Sequence, residues 1–309
     1  SVLAVGAWLK NAACLVLDGR AHWSPVHGDL SDPAACAALE VSVQALLAQA
    51  DAAGAPVQAI AHDLHPDFFS TRLAIATADV RGVPAIGVQH HHAHLAAVMA
   101  EHGITGPVVG LALDGVGLGV DGSPWGGELL WLHGAQWQRL GHLQPLALPG
   151  GDRAAREPSR MAASALHALG RADEIAPRLG LAVGEAVAAG VRQMLDKGLN
   201  CPKTSSAGRW FDAAAGALGL CHHQRDEAQA AIALEQAAAR ALSLRPDQPP
   251  LAGAVQHADG RIDLRPVIAQ LFDATDADVA AAGFHLALAD ALAVALITAA
   301  RQRGIRTAV

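Results

Sequence analysis

Val108-Val109-Gly110-Leu111-Ala112-Leu113, followed at once by the glycine-rich run 114–122, decides how this chain folds. The six residues form a short apolar run that ends at a turn signal, a pattern that predicts a buried β-strand. The chain opens in the same way, because the apolar run Val2–Val5 leads directly into Gly6. The sequence therefore predicts two halves, each of which begins with a strand and a glycine-containing hairpin turn.

The first half continues as alternating helices and strands. Ser31-Asp32-Pro33 predicts the start of a long helix that extends to Ala53, because an acidic cap and an early proline favour a helix N-terminus. The other predicted elements are strands at Ala12–Leu17, Val57–His62 and Ala85–Gln89, a helix at Phe68–Val80, and a helix that begins at the histidine cluster. This order predicts a mostly parallel sheet with helices packed on it.

The second half repeats the strands and then becomes rich in alanine-containing helices. Further strands are predicted at Gly126–His133 and Trp137–Leu143, and helices at Met161–Ala168, Phe211–Leu218 and Asp276–Arg303, with Gly283 as a candidate break. Ile305–Val309 has the pattern of the start of another buried strand. We therefore expect that a C-terminal portion lies outside this sequence.

Two halves of this kind predict an α/β protein with the duplicated actin-like ATPase fold. The expected N-terminal lobe is 1–105, and the expected C-terminal lobe is 106–309, truncated at its C-terminus. In that fold the two hairpin turns hold the phosphates of a nucleotide through backbone N–H groups. We expect the cleft between the lobes to hold the nucleotide and a metal.

The composition limits the classes of function. A formal net charge of −7, with six tryptophans, five phenylalanines and no tyrosine, disfavours a grip on nucleic-acid phosphates or a platform for stacked bases. No targeting segment opens the chain, and the uncharged stretch 82–100 contains a proline and four histidines, so no membrane span is expected. The four cysteines form no CxxC pair, which is typical of free thiols in a reducing cytoplasm.

Four histidines lie within five positions, at His90, His91, His92 and His94. The first and last are four residues apart, and on a helix this spacing brings both imidazoles to one face within reach of one metal ion. Asp114, at the end of a following strand, can supply an oxygen ligand. Neutral imidazole with carboxylate suits one divalent metal such as iron or zinc, and does not suit Mg²⁺ or Ca²⁺. The alternative is a partly exposed helix face that binds no metal.

Four further motifs predict contacts with a nucleotide. They are Gly126-Gly127, Gly151-Asp152, Ser206-Ala207-Gly208 with Asp212, and Lys10-Asn11. Glycines let a ligand approach the backbone closely, an aspartate suits the ribose hydroxyls, and Lys10 suits a phosphate. Each motif has an ordinary structural alternative: Asp152 or the residues before Asp212 can cap a helix, the run 114–122 can be a bulged hairpin, and Lys10 can be an exposed turn residue.

Seven motifs, taken in order, resemble the carboxy-terminal carbamoyltransferase part of the HypF family of [NiFe]-hydrogenase maturation proteins. They are Gly6-x-x-x-Lys10-Asn11, Gly28-Asp29-Leu30, Asp63-Leu64-His65-Pro66-Asp67, Val88–His94, Asp114-Gly115 with Trp125-Gly126-Gly127-Glu128, Leu148-Pro149-Gly150-Gly151-Asp152, and Thr204-Ser205-Ser206. Each motif alone is weakly specific, whereas seven in register are highly specific. The resemblance covers essentially the whole chain.

The resemblance implies a carbamoyltransferase. HypF-like proteins form a carbamoyl-adenylate from carbamoyl phosphate and ATP, and their actin-like module transfers the carbamoyl group to the C-terminal cysteine of the partner HypE, for synthesis of cyanide ligands. By position, His90, His94 and Asp114 are the implied metal ligands. The family's further aspartate ligand would follow Val309.

The chemistry that the resemblance implies needs no nucleophile from this chain, because the partner's thiolate attacks the carbamoyl carbon. Lys10 and the backbone N–H groups of the glycine turns are expected to stabilise the leaving phosphate. A bound metal is expected to act as a Lewis acid. Either His65 or His91 is expected to assist proton transfer, and the sequence does not choose between them.

Two departures from the family bear on this interpretation. The acylphosphatase domain, CxxC zinc motifs and adenylate-forming domain that usually precede the module are not visible, and Ala228 stands where the family tends to have glycine.

Threonylcarbamoyl transfer to tRNA is disfavoured by the negative net charge and by the Trp125–Glu128 and Gly150–Asp152 motifs. Two alternatives stay open: O-carbamoylation of a small hydroxyl substrate, and a non-catalytic nucleotide-binding module that docks HypE.

Overall fold

The computed structural model describes residues 1–309, which form two compact units, Ser1–Ala93 and His94–Val309. The strands of the N-terminal unit are β1 (Val2–Ala4), β2 (Cys14–Leu17), β3 (Arg20–Trp23), β4 (Ala59–Asp63) and β5 (Ala85–Val88). They form one sheet in the order β3-β2-β1-β4-β5. Antiparallel pairs join β1, β2 and β3, whereas β4 and β5 run parallel to β1. The sheet is therefore mixed rather than mostly parallel.

Strand β3 is absent from the sequence prediction, although the signal for it is present. Asp18 and Gly19 have φ values of +49° and +73°. Positive φ at two consecutive residues is the conformation of a two-residue hairpin turn, for which Asp-Gly is a preferred pair. The chain therefore folds back at once, and Leu17 pairs with Arg20.

Three helices follow the strands of this unit: α1 (Pro33–Ala52), α2 (Phe69–Arg81) and α3 (His90–Glu101). Helix α1 begins where the sequence predicts, because Asp32 accepts a 2.9 Å hydrogen bond from the N–H of Ala34. Its Leu39 packs in the core with Leu3 and Leu15 of the sheet.

Helix α3 begins directly after β5, and the division between the units falls within it. The lobe bounds of 1–105 and 106–309 remain a prediction.

The strands of the C-terminal unit's sheet are β6 (Val108–Leu118), β7 (Pro124–His133), β8 (Gln136–Leu143), β11 (Val255–Gln256) and β12 (Arg261–Asp263), whereas β9 (Leu146–Ala147) and β10 (Lys203–Thr204) form a separate ribbon. The sheet has the order β11-β12-β8-β7-β6. The last residues bond to β6 through an isolated parallel bridge between Ala308 and Val109, but residues 305–309 are half-buried or exposed, so the buried strand predicted there is wrong. The N–H of Val309 donates to the carbonyl of Val109, and its own carbonyl accepts from Leu111.

Both units repeat one plan. Strands β1-β2-β3 and β6-β7-β8 are antiparallel meanders. In each unit the first strand of the meander also pairs in parallel with a later segment, which is β4 in one case and the chain end at Ala308 in the other. This repetition confirms the predicted α/β class and the duplicated actin-like fold.

Eight helices pack around the second sheet, with a 3₁₀ turn at Ala172–Glu174: α4 (Arg153–Arg156), α5 (Pro158–Ala168), α6 (Ile175–Val183), α7 (Glu185–Lys197), α8 (Ala207–Ala217), α9 (Gln229–Leu244), α10 (Arg265–Phe272) and α11 (Ala277–Arg303). Small residues bring these helices close together. A Cβ atom on Gly216 of α8 would lie 2.6 Å from the carbonyl oxygen of Pro158. Helices α5 and α8 therefore touch backbone to backbone.

The long helix α11 is continuous through Gly283, so the predicted break there is wrong. The missing side chain instead makes room for Leu251, whose Cγ would lie 2.8 Å from a Cβ on this glycine. By length and composition, α1 and α11 are both apolar enough to cross a membrane. Each of them contributes side chains to the core of its own unit.

Candidate active site

Gln89 sets the start of helix α3 and so places the histidines. Its side-chain Oε1 accepts a 2.8 Å hydrogen bond from the N–H of His92, and its carbonyl accepts from the N–H of Ala93. The first bond satisfies one of the otherwise unpaired donors at the helix start, and the second is the first regular hydrogen bond of the helix. His90 therefore lies in the first turn of the helix, and His94 lies one turn later.

His90 is held by a carboxylate. Its Nδ1 lies 2.7 Å from Oδ2 of Asp63, the last residue of β4, and Asp63 is 7% exposed. Burial acts to raise the pKa of Asp63, but the hydrogen bonds from His90 and from the N–H of His65 hold that pKa below its usual value. A carboxylate on Nδ1 fixes the ring, and in metal sites such an arrangement makes Nε2 the nitrogen that faces the ion.

The structure brings the three predicted metal ligands together. One ligand atom from each of His90, His94 and Asp114 lies within 4.8 Å of the other two. Nε2 of His94 is 3.8 Å from Oδ2 of Asp114 on β6. Two imidazoles and a carboxylate form the donor set that iron or zinc prefers. The residues therefore fit the predicted metal.

The two histidines predicted to move protons have different surroundings. His91 is fully buried, and its Nδ1 lies 3.1 Å from the side-chain amide of Gln89. His65 is half-buried and stacks on Phe68, with ring centroids 4.2 Å apart. Its Nδ1 accepts a hydrogen bond from the N–H of Asp67. The role of either histidine in proton transfer remains a prediction.

The N–H groups of Gly126 and Gly127 point into the protein. Both donate to Oε1 of the fully buried Glu128, over 3.0 and 3.2 Å. A Cβ on Gly126 would lie 2.5 Å from the carbonyl oxygen of Asp114, and one on Gly127 would lie 2.4 Å from that of Ser205. Close backbone packing therefore requires glycine at both positions, and these N–H groups are not oriented for a phosphate.

The predicted nucleotide residues at the start of α8 are mostly buried. Ser206 caps the helix by accepting from the N–H of Arg209, and its hydroxyl donates to the carbonyl of Gly115 over 2.7 Å. Asp212 is 2% exposed, and burial raises its pKa to about 6. Gly208 is half-exposed and is the residue of this group that a ligand can reach from solvent.

Asp212 has two polar neighbours inside the unit. The side-chain amide of Gln224 donates to its Oδ1 over 3.0 Å. Nε of Arg209 lies 2.7 Å from Oδ2, which is ion-pair distance, but the N–H of Arg209 is not directed at this oxygen and the two atoms form no hydrogen bond. The expected contact of Asp212 with a ribose remains a prediction, because its observed partners belong to the protein.

The loop before α4 leaves the side chain of Asp152 exposed to solvent. Gly150 and Gly151 have φ values of +92° and +61°, and the exposed carboxylate of Asp152 makes no capping hydrogen bond. The alternative that Asp152 only caps a helix is therefore unsupported. Arg160, which is buried, donates to the carbonyl of Pro149 over 3.2 Å and shapes this loop. Sequence reasoning missed Arg160, because its contact depends on the packing of α5.

In the first hairpin turn, Lys10 and Asn11 play different parts. Lys10 is exposed, with a φ of +50°. The amide of Asn11 is buried and donates to the carbonyls of Val5 and Ala7 over 2.9 and 3.0 Å. Asn11 therefore shapes the turn, whereas Lys10 lies at its exposed surface. Ligand contacts from either residue remain predictions.

Comparison with known protein families assigns both parts of the chain. Residues 1–101 match the family described as "HypF Kae1-like domain". Residues 110–309 match "Carbamoyltransferase, Kae1-like Domain, second subdomain". Together these matches cover both compact units, including the glycine turns and all three predicted metal ligands.

Similar curated proteins carry the same family name. "Carbamoyltransferase HypF homolog" of Cupriavidus necator is 57% identical over 99% of this chain and 78% of its own length. "Carbamoyltransferase HypF2" of the same organism is 46% identical over 100% of this chain and 40% of its own length. The chain therefore spans most of the first relative and well under half of the second.

Two solved structures share the fold. "Crystal structure of T.kodakarensis HypF" matches 99% of this chain and 41% of that one, with a TM-score of 0.87 and 31% identity. "Crystal structure of full-length HypF in the phosphate- and nucleotide-bound form" matches 100% of this chain and 39% of that one, with a TM-score of 0.85 and 26% identity. The chain therefore belongs to the HypF family of carbamoyltransferases, as its sequence motifs predict.

Proposed function

We propose that this chain is the carbamoyl-transfer unit of [NiFe]-hydrogenase maturation. It takes a carbamoyl group from carbamoyl-adenylate, made from carbamoyl phosphate and ATP, and transfers it to the C-terminal cysteine of HypE for cyanide ligand synthesis. The observation that carries the proposal is the cluster of His90, His94 and Asp114 in a chain of the HypF family. The four free cysteines are consistent with a reaction in the reducing cytoplasm.

The transfer exchanges one bond for another. The acceptor thiolate attacks the carbamoyl carbon, a C–S bond forms, and the bond from that carbon to the phosphate oxygen of AMP breaks. AMP leaves with the electron pair. The thiol proton goes to a base before attack, and His65 and His91 are the proposed bases. The backbone N–H of His65 donates to Asp63, which holds His90, and His91 follows His90 in sequence.

A divalent metal, iron or zinc, is proposed at His90, His94 and Asp114. When bound, such an ion supplies Lewis acidity toward a carbamoyl or phosphate oxygen. Asp63 holds the ring of His90 in place through its 2.7 Å hydrogen bond. The half-buried Asp114 and the exposed His94 leave this site open to a substrate.

The nucleotide is proposed to contact the chain through its accessible loop residues. Lys10 is exposed on its turn and suits a phosphate, and Asp152 is exposed and suits the ribose hydroxyls. Gly151 and Gly208 offer close approach to backbone. Asn11, Gly126, Gly127, Ser206 and Asp212 are proposed to support these loops from within, because their polar groups bond to the protein.

A transfer assay tests the proposal. Preformed carbamoyl-adenylate and HypE are incubated with the zinc- or iron-loaded chain, and mass spectrometry follows the C-terminal peptide of HypE. We expect the mass of one carbamoyl group to appear, and to be lost with His90→Ala. His102→Ala, an exposed histidine after α3, is the matched control. Nucleotide binding without transfer would contradict the proposal and would favour the docking-module alternative.

A further inference from the structure

A buried carboxylate on β7 has no role in the steps above. Glu128 is fully buried, and its Oε1 accepts hydrogen bonds from the N–H groups of Gly126 and Gly127. The hydroxyl of Ser205 donates to the same oxygen over 2.5 Å, and Nε of Arg139 donates to Oε2 over 2.6 Å. Both oxygens are therefore bonded within the protein, so Glu128 is an anchor and does not contact a ligand.

The anchored residues hold the backbone of a predicted metal ligand. Gly126 packs against Asp114 so closely that a Cβ atom would lie 2.5 Å from the carbonyl oxygen of Asp114. The hydroxyl of Ser206, which follows Ser205, shares its proton between the carbonyl of Gly115, at 2.7 Å, and the same carbonyl of Asp114, at 3.1 Å. Two separate contacts therefore connect Glu128 to the main chain of Asp114.

Asp114 needs this support because it lies in an irregular part of β6. The pairing of β6 with β7 shifts register between Leu113 and Gly117, so the regular ladder does not fix the residue between them. The carboxylate of Asp114 lies 3.8 Å from Nε2 of His94. A metal site depends on this kind of placement, because ligands must be held near the productive geometry by their supporting residues.

We infer that Glu128 is a positioning residue for Asp114, and that the pair formed by the buried Glu128 and the half-buried Arg139 sets the affinity of the site for its metal. The inference rests on the proposed function, because it requires that Asp114 bind the ion. Arg139 strengthens the anchor: its guanidinium lies 3.8 Å above the ring of Trp125 and also bonds to Ser205. Removal of the charge at Glu128 weakens the bonds from all four donors, which are the N–H groups of Gly126 and Gly127, the hydroxyl of Ser205 and Nε of Arg139.

Zinc affinity of Glu128→Gln tests the inference. The variant keeps the size of the side chain, but its amide nitrogen can no longer accept a hydrogen bond. We expect zinc to bind about 10-fold more weakly or worse, which is the usual effect of losing a residue that orients a metal ligand. The affinity of the whole chain is measured by competition with a chromogenic chelator, and thermal unfolding of the metal-free proteins is measured in parallel.

Asp263→Asn is the matched control. Asp263 is also a buried carboxylate bonded to an arginine and a backbone N–H, both of Arg265, but it lies on β12, with β8 and β7 between it and β6. We expect both variants to melt earlier than wild type, and only Glu128→Gln to bind zinc more weakly. Unchanged zinc affinity in Glu128→Gln, or equal weakening in both variants, would overturn the inference.

A second variant covers the case in which Glu128→Gln does not fold. Ser205→Ala removes one donor of the anchor and leaves the carboxylate in place, and it must weaken zinc binding more than Asp263→Asn does. If it does not, the inference is overturned. Absence of zinc and iron binding by the wild-type chain would refute the metal site itself, and therefore the proposed function together with the inference.

Discussion

Nδ1 of His90 donates a 2.7 Å hydrogen bond to the carboxylate of Asp63, and this bond connects the first residue of α3 to the last residue of β4. The carboxylate is almost fully buried, so the bond is poorly screened by water. It fixes both the rotation of the imidazole and the nitrogen that carries the proton. Asp63 therefore belongs to the candidate site as much as the residues that would touch the ion.

Replacement of Asp63 by alanine should weaken metal binding. Without the carboxylate the ring of His90 rotates and its proton can move to Nε2, so we expect zinc affinity to fall about 10- to 100-fold. A chelator competition titration measures it. Asp67→Asn, an exposed aspartate in the same loop, is the control and should bind zinc as the wild type does. An affinity unchanged in Asp63→Ala would contradict the assigned role.

Metal should stabilise the folded chain through His94. A ligand that binds only the native state at 100 times its dissociation constant raises the free energy of unfolding by about 2.7 kcal/mol. His94 is one of the three clustered ligands and is exposed, so His94→Ala should keep its fold in the absence of metal. Urea unfolding with and without zinc measures the difference. The same zinc-induced gain in His94→Ala would argue against this cluster as the binding site.

A methyl group on Gly126 should destabilise the C-terminal unit. In Gly126→Ala the new Cβ would meet the carbonyl oxygen of Asp114 at 2.5 Å, and backbone atoms must move to relieve the contact. We expect the free energy of unfolding to fall by about 1–3 kcal/mol, as for other overpacked sites. Gly106→Ala, where nothing lies within 4 Å, serves as the comparison in urea titrations. Equal stability of the two variants would disprove the close contact.

The stability of the fold should depend on the protonation of Asp212. Burial raises its pKa from 3.8 to about 6, so the folded chain binds this proton more tightly than the unfolded chain does. The resulting stabilisation is fully present below pH 3.8 and is lost as the pH rises through about 6. In Asp212→Asn this contribution does not titrate.

The measurement compares the two proteins by urea unfolding at several pH values between about 4 and about 7. We expect the free energy of unfolding of wild type, relative to Asp212→Asn, to increase as the pH falls. Every other titrating group is shared and cancels in the comparison. A difference that stays constant over this range would show that the pKa of Asp212 is not raised in the folded chain.

The sequence predicts that His90, His94 and Asp114 come together, because the geometry of this cluster is largely local. The four-residue spacing of His90 and His94 becomes one turn of a helix, and Asp114 follows a recognisable apolar strand. The sequence alone assigns no supporting role to the carboxylates of Asp63 and Glu128. The contact of Asp63 with His90 spans 27 residues, and that of Glu128 with Ser205 spans 77, so both depend on tertiary pairing that no local pattern encodes.

The predicted nucleotide-binding residues show where a local pattern is not enough. The local motifs predict that Gly126, Gly127 and Ser206 approach a ligand, since adjacent glycines permit close approach to the backbone. In the structure the same small residues let β6, β7 and the start of α8 pack against one another. Sequence alone does not distinguish a backbone that needs room for a ligand from one that needs room for its own neighbour.

The pairing of β12 with β8 has a consequence for the order of folding. Leu143 of β8 and Ile262 of β12 are partners in parallel strands, and six helices are inserted between them. The sheet of the N-terminal unit is complete within its first 88 residues. Because contacts between distant segments slow folding, we expect the pairing of β12 with β8 to form later than the sheet of the N-terminal unit. Until that pairing forms, one edge of β8 has no strand beside it.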